Sequence, residues 1–89
     1  MDYFEKRGID IRMQAKNLVL EYMHSTPCCA PDGSGMKQSD IFRACGFDWG
    51  YYENATSSNQ QYWIVALLRE LEAENEVQRN PSSKLWRLV

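Results

Sequence analysis

The sequence predicts a mainly helical domain that ends in a small β-hairpin, and two patterns in its last third carry this prediction. The first pattern lies in residues 58–74, where apolar side chains recur at the i, i+3, i+4 and i+7 positions of one helical face: Ile64, Leu67, Leu68 and Leu71. Beyond residue 76 the helical period gives way to alternation around the proline-containing tetrad 80–83. Because proline cannot donate to a ladder, this tetrad is predicted to be a turn between two short strands.

The third helix has signals at both ends. Ser57, Ser58 and Asn59 offer side-chain oxygens to the unpaired N–H groups of a first turn. Asn75 follows the last apolar position, and asparagine is the residue besides glycine that best adopts the left-handed conformation closing a helix. In the hairpin, Trp86 is expected to fix the strands to the core.

A first helix is predicted from Asp10, as its N-cap, to about His24. Its apolar positions recur at helical spacing: Ile11, Ala15, Leu18, Val19 and Tyr22. Residues 1–9 are interpreted as an N-terminal extension or an extra turn of this helix. The remaining residues, 10–89, form one predicted domain.

The second helix is short and follows a loop, 25–35, that is rich in proline and glycine. Ile41, Phe42 and Cys45 supply its buried side, and Lys37 or Ser39 opens it. Gly46 is placed to end it in a left-handed conformation.

Composition limits the class of protein. The chain has 89 residues, of which 44% are hydrophobic and 25% charged, and its formal net charge is -2. This is typical of a globular domain, whereas a DNA-binding face is usually basic. No apolar run reaches the roughly 18 residues of a membrane span, and residues 1–10 lack the apolar core that a signal peptide would have. An odd number of cysteines, two of them adjacent, favours a reducing compartment, so we expect a cytoplasmic protein, or a nuclear one in a eukaryote.

Two sets of residues resemble parts of a known family. The first matches the opening helix of a helix-turn-helix, which glycine and an apolar residue precede and glycine ends: Gly35, Met36, Lys37, Asp40, Ile41, Cys45, Gly46 and Phe47. The second is similar to the recognition helix and wing of winged helix-turn-helix domains: Ile64, Leu68, Leu71, Asn75, Val77 and Arg79. The resemblance covers 10–89. The connection 48–57 is longer than the usual tight turn.

This resemblance implies a winged helix-turn-helix fold, with three helices plus a C-terminal wing. It further implies binding of double-stranded DNA, by a small transcriptional regulator or by the DNA-reading module of a larger assembly. In this family the third helix enters the major groove and the wing meets neighbouring phosphates. The implied DNA-binding residues on the helix and wing are Asn59, Gln61, Tyr62, Ala66, Arg69, Arg79, Lys84 and Arg87.

Four glutamates near the end of the third helix oppose phosphate binding: Glu70, Glu72, Glu74 and Glu76. We expect them to point away from a duplex that docks on the N-terminal half of the helix. A single domain would bind modestly, so we also expect a homodimer through helix one or the N-terminus.

The alternative function is a protein interaction module, because exposed aromatic residues are typical interface anchors. Its partner-binding residues would be Trp49, Tyr51 and Tyr52. Catalysis is not expected, since the chain shows no nucleophile with an evident base. We expect no metal or cofactor either, because Cys28 and Cys29 are vicinal and no Cys-x-x-Cys pair is present.

Overall fold

The computed structural model describes residues 2–47 and 62–89, with the backbone alone for 62–64. The helices are α1 (Tyr3–His24), α2 (Gln38–Ala44) and α3 (Tyr62–Ala73). The strands β1 (Val77–Arg79) and β2 (Trp86–Leu88) pair antiparallel. A short 3₁₀ turn lies between α1 and α2. The predicted architecture of three helices and a small C-terminal hairpin is therefore confirmed.

Helix α1 starts earlier than predicted. Its N-cap is Asp2, whose side chain accepts a hydrogen bond from the backbone N–H of Glu5 at 2.8 Å. The predicted start at Asp10 is wrong, and residues 3–9 continue the helix, as the alternative interpretation had it. Aspartate is a favoured N-cap residue, so both Asp2 and Asp10 could begin a helix. The structure uses Asp2, which gives the longer helix.

The buried face of α1 also differs from the prediction. Ala15, Val19 and Met23 are buried, whereas the side chains of Ile11 and Leu18 are 59% and 41% exposed. Ala15, Val19 and Met23, spaced by four residues, thus pack against the core, and the seven-residue row of Phe4, Ile11 and Leu18 lies beside them. Two neighbouring apolar rows have the same helical period, so the period alone does not show which one is buried.

Helices α2 and α3 end as predicted, each at a residue in the left-handed region. Gly46 has φ +73° and Asn75 has φ 61°. In each case the next residue closes the turn, since the N–H of Phe47 donates to the carbonyl of Phe42 at 2.8 Å and the N–H of Glu76 to that of Leu71 at 3.0 Å. These are the hydrogen bonds of a Schellman motif.

The hairpin turn is closed by Asn80. Its side-chain oxygen accepts hydrogen bonds from the N–H groups of Ser82 and Ser83, at 2.8 and 3.1 Å. Asparagine is common in turns because it bonds to the backbone two residues later. The predicted turn at 80–83 is confirmed.

The segment before α2 is tied to the hairpin. Met36 and Trp86 exchange two backbone hydrogen bonds of 2.9 Å, forming an isolated bridge beside β2. Gly35, just before it, has φ +89°, and a Cβ there would lie 2.9 Å from the Cβ of Leu85. Only glycine fits this close approach without strain.

The core lies where the three helices meet the hairpin. Leu67, Leu68 and Leu71 of α3 are buried in it, as predicted. Trp86 is fully buried, which confirms that it fixes the hairpin to the core. Within the described ranges no helix is both long and apolar enough to cross a membrane.

Candidate functional site

Several predicted site residues fall outside the part of the chain that the structure describes. Asn59 and Gln61 belong to this group, as do the helix-capping residues 57–59 and the aromatic residues Trp49, Tyr51 and Tyr52. Tyr62 is the first residue of α3. The described part of the predicted DNA surface therefore consists of Ala66 and Arg69 on α3 and the three basic residues of the hairpin.

Arg69 and Arg79 come together around one aromatic ring. The guanidinium carbon of Arg69 lies 5.4 Å from the ring centroid of Trp86, and that of Arg79 lies 5.6 Å from it. A guanidinium within about 6 Å of an indole ring is attracted by its quadrupole. Two cations from different elements are thus held at the junction of α3 and the hairpin, which we call the arginine junction (Arg69, Arg79 and Trp86).

Strand register explains how the hairpin contributes to this junction. Arg79 is the cross-strand partner of Trp86, so the two side chains share a face of the hairpin. The Nε of Arg79 also donates to the carbonyl oxygen of Lys84 at 3.2 Å. Lys84 is exposed and has φ 65°, a conformation that L-residues other than asparagine rarely adopt. The hairpin thus presents Arg79 and Lys84 at its turn end.

Arg87 does not join the arginine junction. It alternates with the buried Trp86 and Leu88 along β2, which places it on the opposite face. Its Nη1 donates to the carbonyl oxygen of Gly33, 3.2 Å away in the loop before α2. The structure therefore uses Arg87 to hold this loop against the hairpin.

The acidic residues of α3 are divided between its two sides. Lys16 of α1 donates to Glu70 at 3.1 Å and also to Glu74, and Arg12 lies 3.8 Å from Glu70. Glu72 turns to the other side, where it pairs with Arg69 at 3.0 Å. Two of the four glutamates are therefore paired with cations of α1, away from the arginine junction.

Lys16 is the centre of this second cluster. Its side chain is only 13% exposed. The hydrogen bond with Glu74, helped by Glu70 and opposed by burial, raises the pKa of the Lys16 ammonium above its ordinary value of 10.5. We call Arg12, Lys16, Glu70 and Glu74 the acidic junction.

The cysteines show no arrangement for metal binding or nucleophilic chemistry. Burial, helped by the neighbouring Cys28, raises the pKa of the Cys29 thiol to about 11, and burial also raises that of Cys45. A protonated thiol is a poor nucleophile and a poor ligand. Among the residues described, no three histidine, cysteine or acidic side chains are grouped to hold a metal ion.

Ala66 lies on the rim of an open apolar groove between α1 and α3, which the sequence analysis missed. The groove has a volume of about 660 Å³. Ala15 and Leu67 line it from within the core, and Ile11 and Leu18 line its α1 side. The signal in the sequence was the seven-residue spacing of Ile11 and Leu18, which the prediction assigned to the buried face.

Comparison with known proteins yields no match to a family model, to a curated protein or to a solved structure. The functional argument therefore rests on the geometry of this chain.

Proposed function

We propose that the protein is a winged helix-turn-helix domain that binds double-stranded DNA, as a small transcriptional regulator or as the DNA-reading module of a larger assembly. In this proposal α3 is the recognition helix and the β1–β2 hairpin is the wing. The arginine junction is the observation that supports it most strongly. It joins the basic side chains of α3 and the hairpin into one surface that could follow a groove and its flanking phosphates.

The roles of the residues follow from their chemistry. A guanidinium can bind the O6 and N7 atoms of guanine or a phosphate in a bidentate manner, which suits Arg69 and Arg79. Lys84, exposed at the turn, suits a phosphate as a point charge. Ala66 does not belong to this surface, because it lies on the rim of the groove between α1 and α3. Arg87 acts in this proposal by holding the wing rather than by contacting DNA.

The net charge of -2 does not oppose the proposal, because charge is distributed unevenly. Glu70 and Glu74 are paired with α1, so their field at the arginine junction is weakened. Electrostatic attraction to DNA depends on the local potential of the contact surface and decays within a Debye length, about 10 Å at 0.1 M salt.

A salt titration with matched variants tests the proposal. Fluorescence anisotropy measures binding to a labelled random duplex pool for the wild type, the double variant Arg69→Ala/Arg79→Ala, and the control Lys6→Ala/Arg43→Ala. Each double variant loses two positive charges, but Lys6 lies exposed on α1 and Arg43 lies exposed on α2. We expect log K to fall linearly with log salt, and the slope to decrease by about two only when the junction arginines are removed.

Absence of duplex binding at low salt contradicts the proposal. An equal loss in both double variants would show that net charge, and not the arginine junction, governs binding. The alternative, a winged helix that binds a protein partner through the loop 48–57, predicts no salt-dependent duplex binding at all. The same titration therefore separates the two functions, provided that circular dichroism shows each variant to be folded.

A further inference from the structure

Helix α1 carries an exposed apolar stripe that its own core does not use. Phe4, Ile11 and Leu18 are 77%, 59% and 41% exposed, and they recur every seven residues. Gly8 and Ala15, which is buried at the floor of the groove, lie between them at the spacing that completes a heptad pattern of alternating large and small residues. A stripe with this period is typical of a helix that packs along another helix.

The groove between α1 and α3 adjoins this stripe. Ile11 and Leu18 form one wall, and Ala66 and Phe47 lie on the other side. At Gly8 an added Cβ would meet no atom within 4 Å, so the surface beside the stripe is open. The groove and the stripe together form one continuous apolar face, large enough to receive side chains from a second helix.

We propose that this face binds a second copy of the chain, with the two α1 helices antiparallel. Helix α1 has 22 residues and is therefore about 33 Å long. An antiparallel contact along it, with the groove walls included, would bury on the order of 800 Å² per chain, the size of a standard stable interface. In this dimer Ile11 and Leu18 of each copy enter the groove of the other.

Charge along α1 selects the antiparallel orientation. Arg7 and Glu21 are both exposed, and their separation of two heptads places them on the same flank of the stripe. When the two-fold axis passes near Gln14, Arg7 of one copy lies opposite Glu21 of the other. Nearly the same register places Ile11 of one copy opposite Leu18 of the other. The two-fold axis generates each of these pairs twice. In a parallel pair the flank that carries Arg7 would instead face the opposite flank of the other copy, which carries Arg12, and like charges would lie together.

Sedimentation equilibrium of the full chain, without nucleic acid, tests the proposal. The wild type should reach twice its chain mass of 10.4 kDa at micromolar concentration. Ile11→Glu and Leu18→Glu should each raise the dissociation constant at least tenfold, because a carboxylate would be buried without a partner. Met13→Glu is the matched control, since Met13 is 55% exposed on the other side of α1. It should leave the dimer intact.

A charge exchange tests the orientation. Arg7→Glu and Glu21→Arg should each weaken the dimer several-fold, and the double variant should restore it, as only the antiparallel register predicts. A wild type that is monomeric at about 100 μM, where even a weak interface of this size associates, would overturn the proposal. A dimer that responds to Met13→Glu as strongly as to Ile11→Glu would also overturn it. Since DNA is absent from these measurements, their outcome is independent of the proposed DNA binding.

Discussion

Helix α3 carries charges of different sign on two of its sides, and each side contacts a different neighbouring element. Toward the hairpin, Arg69 lies on the buried ring of Trp86 and leaves its charge partly exposed. Toward α1, the next residue along the chain, Glu70, pairs with Lys16 and Arg12. Adjacent residues on a helix point about 100° apart, so one helix can serve two different neighbours. Net charge averages these sides and is a poor guide to either.

The two sides also differ in what holds them. The arginine junction lies on Trp86, a fully buried residue of the hairpin that contacts α3 and the segment just before α2. The acidic junction consists of ion pairs whose carboxylates are 42% and 44% exposed. Partly exposed ion pairs contribute roughly 1 kcal/mol or less each, because solvent screens them. We therefore expect variants on the hairpin side to change stability more than variants on the α1 side.

The largest expected effect is that of Trp86→Ala. Truncation of a buried tryptophan leaves a cavity and costs about 3–5 kcal/mol, a large fraction of the roughly 5–15 kcal/mol that holds a small domain folded. Urea unfolding measures the loss. Trp86→Phe is the control and should cost much less, because the indole Nε1 finds no hydrogen-bond acceptor among the described residues. A loss below about 1 kcal/mol for Trp86→Ala would show that the ring does not anchor the hairpin.

The second-largest effect is expected for Lys84→Gly, a variant at the hairpin turn that should change stability and duplex binding in opposite directions. Lys84 has φ 65°, and a left-handed conformation costs an L-residue about 1–2 kcal/mol. Lys84→Gly should therefore raise the free energy of unfolding by up to about 1 kcal/mol, since part of the gain is lost to the greater entropy of the unfolded chain. The same variant should weaken duplex binding.

Lys84→Ala is the matched control for this pair of measurements. It removes the same charge but keeps the strained backbone, so it should weaken binding without the gain in stability. Duplex binding that is unchanged in both variants would place Lys84 outside the interface.

A smaller effect is expected for two variants that compare the two sides of α3 directly. Glu72→Gln and Glu74→Gln each remove one negative charge, Glu72 from the last turn of α3 and Glu74 from the residue that follows the helix. Only Glu72 pairs with Arg69, whereas Glu74 pairs with Lys16. We expect Glu72→Gln to tighten duplex binding a few-fold in low-salt anisotropy titrations, and Glu74→Gln to change it little. Equal gains would mean that duplex binding follows net charge alone.

The smallest effect is a difference in pH dependence. The pKa of Lys16 is raised above 10.5 by its hydrogen bond with Glu74, so the folded state holds this proton more tightly than the unfolded state. The resulting stability is present below pH 10.5 and is lost as the pH rises through the folded pKa.

Unfolding free energies of the wild type and Lys16→Met, measured from about pH 9 to about pH 12, test this difference. The advantage of the wild type should shrink above pH 10.5. Cys29, with its pKa raised to about 11, titrates in both proteins and cancels in the comparison. A constant difference over the whole range would show that the Lys16 ion pairs do not contribute to stability.

The features that the sequence predicted correctly are local. Gly46 and Asn75 end their helices because a left-handed residue closes a turn with groups only a few positions away. The hairpin turn depends in the same way on Asn80 and its next neighbours. The predicted start of α1 was wrong because two aspartates, each a favoured N-cap residue, precede the apolar positions of the helix.

The candidate site was predictable in its residue types but not in its arrangement. The exposed basic positions Arg69 and Lys84 follow from the period of α3 and from the turn. The meeting of Arg69 with Arg79 over Trp86 required the hairpin to fold back onto α3, which no local pattern specifies. Arg87 was assigned to the same surface, and the structure instead directs it to the carbonyl of Gly33.

The sequence by itself therefore determined where most elements end and which residue types they expose, because these depend on backbone preferences over a few neighbouring residues. Only the tertiary structure decided which apolar row of α1 is buried and which glutamates of α3 are paired. Lys16 and Glu70 are separated by 54 residues, as are Gly33 and Arg87. Such contacts depend on how whole elements pack, and two rows of equal period remain equivalent until a neighbour covers one of them.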